Sequence, residues 1–251
     1  MRVLASVMTS VLLASLPLSG CTKPESRDKQ PNTTADIAAS PARTVLAGDQ
    51  LTRILEMHDS YLTLLSARDA AVYGEVDVAR EQLTELATQP MPEGISSIYA
   101  PEVLELHIRA GQGARAERPE GVTLGIAHTA QSCGSCHTAT GQSPQLAGQM
   151  DPPSSDTPAE LMQRHAWAAQ QLWDGLIVPS EERWQQGASV LASSKLEPST
   201  LFHDEYLADV GAERVHGLQE ATKSVADAAS WEDRAEAYGD LLNSCATCHS
   251  R

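Results

Sequence analysis

Two copies of one five-residue motif constrain this chain more than any other feature. Residues 133–137 and 245–249 both read Cys-x-x-Cys-His, the spacing that attaches a c-type haem. The two thiols can form thioethers with the porphyrin vinyl groups, and the next His can place an imidazole nitrogen on the iron. A structural disulfide, a zinc knuckle or a redox dithiol could use one such motif, but two copies containing four of the five cysteines favour haem. The sequence therefore predicts two covalently bound haem c groups, with thioethers at Cys133, Cys136, Cys245 and Cys248 and proximal iron ligands at His137 and His249.

The position of the second motif resembles the class II cytochromes c, the cytochrome c′ family. Only Ser250 and Arg251 follow His249, and in that family the motif closes the last helix of a four-helix bundle. The resemblance covers roughly residues 49–140 and 157–251. It implies an all-α fold of two tandem four-helix bundles, each with a haem motif at the end of its last helix.

Apolar spacing and helix breakers predict four helices in each half. Gly74 and Gly175 are the predicted ends of the first helix of each half, and the first helix is predicted to bury Leu51, Ile54, Leu55, His58, Leu62 and Leu65. The motif histidines lie 249 − 137 = 112 residues apart, which indicates a repeat. We therefore predict haem domains at 49–140 and 157–251, joined by a Pro- and Gly-containing linker at 141–156.

The first helix of each half also carries a candidate sixth ligand. His58 and His165 lie on the predicted apolar faces of these helices, and we predict that they close the distal sides of the two haems. Met57 and Met162 lie on the same helices and are the alternative, with a higher reduction potential as the consequence. Since 165 − 58 = 107 and 162 − 57 = 105, neither pair fits the 112-residue offset.

The N-terminus predicts export and anchoring. Arg2 precedes an apolar run from Val3 to Leu18, and Leu18-Ser19-Gly20-Cys21 resembles a bacterial lipobox. We predict a signal peptide at 1–20, lipidation of Cys21 and a disordered tether at 21–48. An ordinary secretory signal is the alternative. The predicted location is the bacterial cell envelope, on a lipid anchor facing the periplasm.

The net charge of −15 argues against nucleic acid and against an anionic membrane surface as partners. It favours redox proteins with basic patches. The sequence thus predicts a membrane-anchored electron carrier rather than an enzyme. Gas binding (NO or CO) at a five-coordinate haem is the alternative, and a di-haem peroxidase comes third because the peroxidases of that type carry their motifs early in each domain.

Overall fold

The chain is all-helical in the part that the structure describes. The computed structural model describes residues 48–91, 97, 99–146, 148, 151–194, 196–198 and 205–250. These residues form eight helices and no strand, which confirms the predicted all-α class. The helices are α1 Gly48–Val72, α2 Val76–Thr88, α3 Ala100–Ala114, α4 Pro119–Thr140, α5 Pro158–Ile177, α6 Glu181–Ser193, α7 Glu205–Asp227 and α8 Trp231–His249.

Part of the N-terminal prediction cannot be compared with the fold. The signal peptide, Cys21 and all of the tether except Gly48 lie outside the described residues. No helix of the described chain combines the length and the apolar character that crossing a bilayer requires.

Local sequence explains where several helices begin. Thr157 caps α5 because its side chain accepts a hydrogen bond from the Glu160 backbone N–H, and the Glu160 carboxylate accepts one from the Thr157 backbone N–H. Ser230 and Asp233 form the same reciprocal capping box at α8. Each box satisfies two backbone N–H groups that the first turn of a helix leaves without partners.

The two glycines predicted to end helices behave differently. Gly74 adopts φ +77° after α1, a left-handed conformation that glycine reaches without steric cost. Gly175 does not end α5, which continues to Ile177, so this prediction was wrong. A Cβ at Gly175 would lie 3.3 Å from the Trp184 backbone nitrogen, and the glycine thus allows α5 and α6 to approach closely.

The helices pack in two closed sets with extensive contacts between the sets. Along the chain, α1 packs on α2, α2 on α3 and α3 on α4, and α4 also contacts α1. In the same way α5 packs on α6, α6 on α7, α7 on α8, and α8 returns to α5. The motif helices α4 and α8 pack against each other, α1 contacts α8 and α4 contacts α5. Residues 46–251 accordingly form one compact unit.

Glycines permit the closest helix crossings. A Cβ on Gly125 of α4 would overlap Gly113 of α3. A Cβ on Gly239 of α8 would lie 3.0 Å from the Cα of Leu124 on α4. These positions let the backbones of the helices approach closely and set where the motif helices cross.

The buried face of α1 is not the predicted one. Leu51, Leu55 and Leu62 are exposed, and His58 is exposed beside them, whereas Leu64 and Ala67 are buried. The buried face of α1 consists mainly of small residues, because α1 packs closely on its neighbours. The prediction chose the face with the larger apolar residues and was therefore wrong. On α5 the predicted face is confirmed, since Leu161, His165, Ala168 and Leu172 are all buried.

Candidate functional site

A cavity of about 500 Å³ lies beside the second motif. This volume falls within the range of pockets that hold organic ligands, about 300–1,000 Å³. Helices α5, α6, α7 and α8 of the second half line it together with α1 of the first half. The lining includes Met162, His165, Ala169, Leu191, Val215, Leu218, Tyr238, Leu241, Cys245, Cys248 and His249. The fold thus brings both motif thiols, the motif histidine and both predicted sixth ligands of this half to one mainly apolar cavity.

His165 has one ring nitrogen without a partner. The side chain is buried, with 8% of the residue exposed. Its Nε2 has no hydrogen-bond partner among the described residues. Burial, mainly, lowers the pKa of His165, while a hydrogen bond with the Ser194 backbone acts in the opposite direction. The ring is therefore neutral near pH 7, which is the form that coordinates metals.

An unpartnered buried nitrogen has a cost. Leaving such a group without a hydrogen bond destabilises a fold by about 1–3 kcal/mol. Metal-ligating histidines usually bind the metal through one nitrogen and a backbone or carboxylate group through the other. His165, bonded to the Ser194 backbone and free at Nε2, has this pattern.

The C-terminal end of α8 is held by a cation from α7. Arg214 Nη1 donates a hydrogen bond to the Cys248 carbonyl at 3.1 Å. Because the last carbonyls of a helix lack intrahelical partners and carry partial negative charge, an arginine there stabilises the helix end. This contact fixes the turn that carries Cys248 and His249.

One wall of the cavity comes from the first half of the chain. Arg68, Asp69, Val72 and Tyr73, in the last turn and at the end of α1, line it. The Tyr73 and His249 rings stack at a centroid distance of 6.2 Å and an interplanar angle of 27°. The second motif therefore lies against α1 as well as inside its own set of helices.

The Arg68 guanidinium adds a partly buried positive charge to this wall. It lies 5.0 Å from the centre of the Trp173 ring. It also donates to Asp69 Oδ1 at 2.7 Å and to Gln170 Oε1 at 2.7 Å. These partners fix the guanidinium at the edge of the cavity.

The first motif contacts the second half in return. His137 is buried, and its Nδ1 lies 2.7 Å from the carbonyl oxygen of Ile177 at the end of α5. A carbonyl can only accept, so Nδ1 carries the proton and Nε2 is the nitrogen left with a free lone pair. That tautomer suits a proximal iron ligand.

The four motif thiols have raised pKa values. Burial raises the pKa of Cys133 and of Cys245 to about 12, and it also raises those of Cys136 and Cys248. All four are free thiols rather than disulfides. A redox dithiol depends on a thiol whose pKa is lowered, so this environment is the opposite of what such chemistry needs.

The two candidate sixth ligands of the first half, His58 and Met57, are not among the residues that line the cavity. His58 is exposed on α1 in the row of Leu55 and Leu62. At 100° per residue, Met57 is only about 20° from Leu64 around α1, whereas His58 is about 120° away. Met57 therefore shares the face of a buried residue, although 48% of it is exposed.

The helix ends provide a register that sequence reasoning missed. The first helices of the two halves end 177 − 72 = 105 residues apart, and the second helices begin 181 − 76 = 105 and end 193 − 88 = 105 residues apart. Only the motif helices follow the offset of 112. At 105, Met57 corresponds to Met162 and Ser60 corresponds to His165. The shared Leu-Ala pairs at 86–87 and 191–192 were the signal that could have revealed this second offset.

Comparison with known proteins gives no relative for this chain. It matches no family of proteins, no curated protein and no solved structure.

Proposed function

We propose that this protein is a di-haem c-type cytochrome that transfers electrons between redox partners. The observation that carries the proposal is the unpartnered Nε2 of His165 in the cavity that Cys245, Cys248 and His249 also line. An apolar cavity that two histidines and two thiols line together offers the donor types that a c-type haem requires. When bound, haem supplies one-electron chemistry through its iron.

Each residue of the second site has a role in this proposal. Cys245 and Cys248 would hold the haem through thioethers, and His249 and His165 would bind its iron. Leu191, Val215, Leu218 and Leu241 of the lining exclude water, which favours the less charged state of the iron. We propose a carrier rather than an enzyme.

The first site is proposed by analogy with the second. Cys133 and Cys136 are the thioether residues, and His137 is the proximal ligand in the tautomer that its bond to Ile177 sets. His58 as the sixth ligand stays a prediction, and its exposed position speaks against it. Met57 is also exposed, at 48%, but it shares the face of the buried Leu64 and corresponds to Met162 at the offset of 105, so we propose it as the sixth ligand of the first haem.

Different ligand pairs would give the two haems different potentials. Thioether ligation raises the potential relative to bis-His ligation, so an electron would reside preferentially on the first haem.

A second candidate function, gas binding, rests on Ser60 in the place of His165. If Met57 does not ligate, the first iron is open to CO or NO.

The arrangement of the helices and the charge support the remaining proposals. The contacts within α1–α4 and within α5–α8 fit two tandem four-helix bundles, the cytochrome c′-like arrangement. We propose lipidation at Cys21 and a periplasmic position in the cell envelope. With a net charge of −15, the partners are redox proteins with basic patches.

Three measurements on the exported protein test the function. Mass spectrometry should give the polypeptide plus two haems, and acid–acetone should not extract the colour. The reduced protein should not bind CO. A colourless protein would refute the haem function, and rapid CO binding at one haem would favour gas binding over electron transfer.

A further inference from the structure

On the basis of the proposed haem function, we infer that each haem site is shared between the two halves of the chain. The turn between the first two helices of one half positions the motif histidine of the other half. The residues that do so are positioning residues, because they contact the histidine or its helix turn rather than the iron.

His137 of the first motif contacts α5, which belongs to the other half of the chain. The Nδ1–H group of His137 donates to the Ile177 carbonyl at 2.7 Å, across 40 residues of sequence and from one set of helices to the other. A hydrogen bond at this nitrogen orients the ring and makes it a stronger donor to a metal. The second half of the chain thereby sets the ligand strength of the first motif.

A glycine inside the first motif makes this contact possible. A Cβ on Gly134 would overlap the Leu176 carbonyl oxygen and would lie 3.1 Å from Cγ of Pro179. The absence of a side chain at this position lets the α5–α6 turn reach the motif. A larger residue would separate the Ile177 carbonyl from His137.

The second motif has the reciprocal contact. A Cβ on Gly74 of the α1–α2 turn would lie 3.2 Å from the Ala246 carbonyl oxygen and 3.0 Å from the Cα of Ser250. The neighbouring Tyr73 stacks on His249. The α1–α2 turn of the first half therefore packs on the motif of the second half.

The two contacts occupy equivalent positions in the repeat. The turn residues Gly74 and Pro179 are 179 − 74 = 105 positions apart, and the motif residues Gly134 and Ala246 are 246 − 134 = 112 apart. In the first contact the glycine belongs to the motif, and in the second it belongs to the turn. Each close approach thus has one small partner, which indicates that the exchange of turns is a property of the fold rather than of one accidental contact.

The decisive variant is Tyr73→Leu, because the substitution is in the first half and the expected effect is in the second. Tyr73 is 67% exposed, so its replacement leaves the core intact. The haem methyl proton shifts of the oxidised protein report the orientation of the axial imidazole, and the shifts that change in His165→Ala assign the second haem. In Tyr73→Leu, we expect the methyl shifts and the reduction potential of the second haem to change while those of the first stay at their wild-type values.

The matched control is Tyr99→Leu. Tyr99 belongs to the same half, precedes α3 and is not among the residues lining the cavity. Neither haem should respond to this change. A Tyr73→Leu protein in which the second haem is unchanged, or in which only the first haem changes, would overturn the inference.

Gly134→Ala tests the other contact. The added methyl group should displace the α5–α6 turn and weaken the bond between Ile177 and His137, so the potential of the first haem should rise and that of the second should stay. Gly217→Ala on α7 is the control, since a Cβ there meets nothing within 4 Å. If the reduction potential of the first haem in Gly134→Ala equals that of the wild type, the inferred role of the α5–α6 turn at His137 is refuted. A wild-type protein without haem would instead refute the proposed function.

Discussion

Replacing His165 by alanine is the sharpest test of the second site. The variant removes the imidazole whose Nε2 has no partner among the described residues, and it leaves both thiols and His249 in place. One motif of two lies at this cavity, so half of the haem in the protein should change from low spin to high spin. The reduced variant should bind one CO per chain, whereas the wild type should bind none.

The haem-free fold should tolerate this substitution. Truncating a large buried side chain to alanine costs about 2–5 kcal/mol of unfolding free energy, and this variant also loses the hydrogen bond with the Ser194 backbone. Removal of an unsatisfied buried nitrogen returns about 1–3 kcal/mol. The second effect offsets part of the first, so the variant should still fold, and far-UV circular dichroism of the haem-free protein separates lost ligation from unfolding.

The assay combines optical spectra of the oxidised protein with CO titration of the reduced protein. His216→Ala is the control, since His216 is exposed on α7 and pairs with Glu220 on the same helix. It should leave both haems low spin. If His165→Ala also stays low spin and does not bind CO, the reasoning from the unpartnered nitrogen is refuted. Met162, which lines the same cavity, would then be the first alternative ligand to replace.

Three further predictions concern other parts of the chain. Met57→Leu should convert the first haem to a high-spin, CO-binding form while His58→Ala should not; the opposite result in optical spectra would restore His58 as the ligand. Cys21→Ser should release the protein from membranes into the soluble fraction, and a variant that fractionates with membranes would show that the anchor is elsewhere. Gly125→Ala should lower the unfolding free energy by about 1–3 kcal/mol in denaturant titrations, because the methyl group would overlap α3; the control Gly217→Ala, with open space around it, should be neutral or stabilising, and equal effects would contradict the close crossing.

Local features of the fold were accessible from the sequence. The all-α class of the described chain and the caps at Thr157 and Ser230 follow from short-range patterns of apolar spacing and hydrogen-bonding side chains. The haem chemistry was predicted in the same way, because a Cys-x-x-Cys-His motif has its meaning within a single helical turn. The burial of His165 on α5 was also predictable, since large apolar residues surround it at helical spacing.

The tertiary structure alone decided which face of α1 is buried. The sequence places Leu55 and His58 in an apolar row, but the fold buries the face of Leu64 and Ala67. Small residues allow the close approach of α1 to its neighbours. Which face of α1 is buried therefore depends on the surfaces of the helices that pack against it. A pattern within α1 contains no information about those neighbours.

The sequence by itself determined the two Cys-x-x-Cys-His motifs and the helices that carry them. Only the tertiary structure decided that the Ile177 carbonyl meets His137 and that Tyr73 meets His249. These contacts join residues 40 and 176 positions apart (177 − 137 and 249 − 73). Nothing in either local sequence specifies them, because they arise from how α1, α4, α5 and α8 pack as one unit.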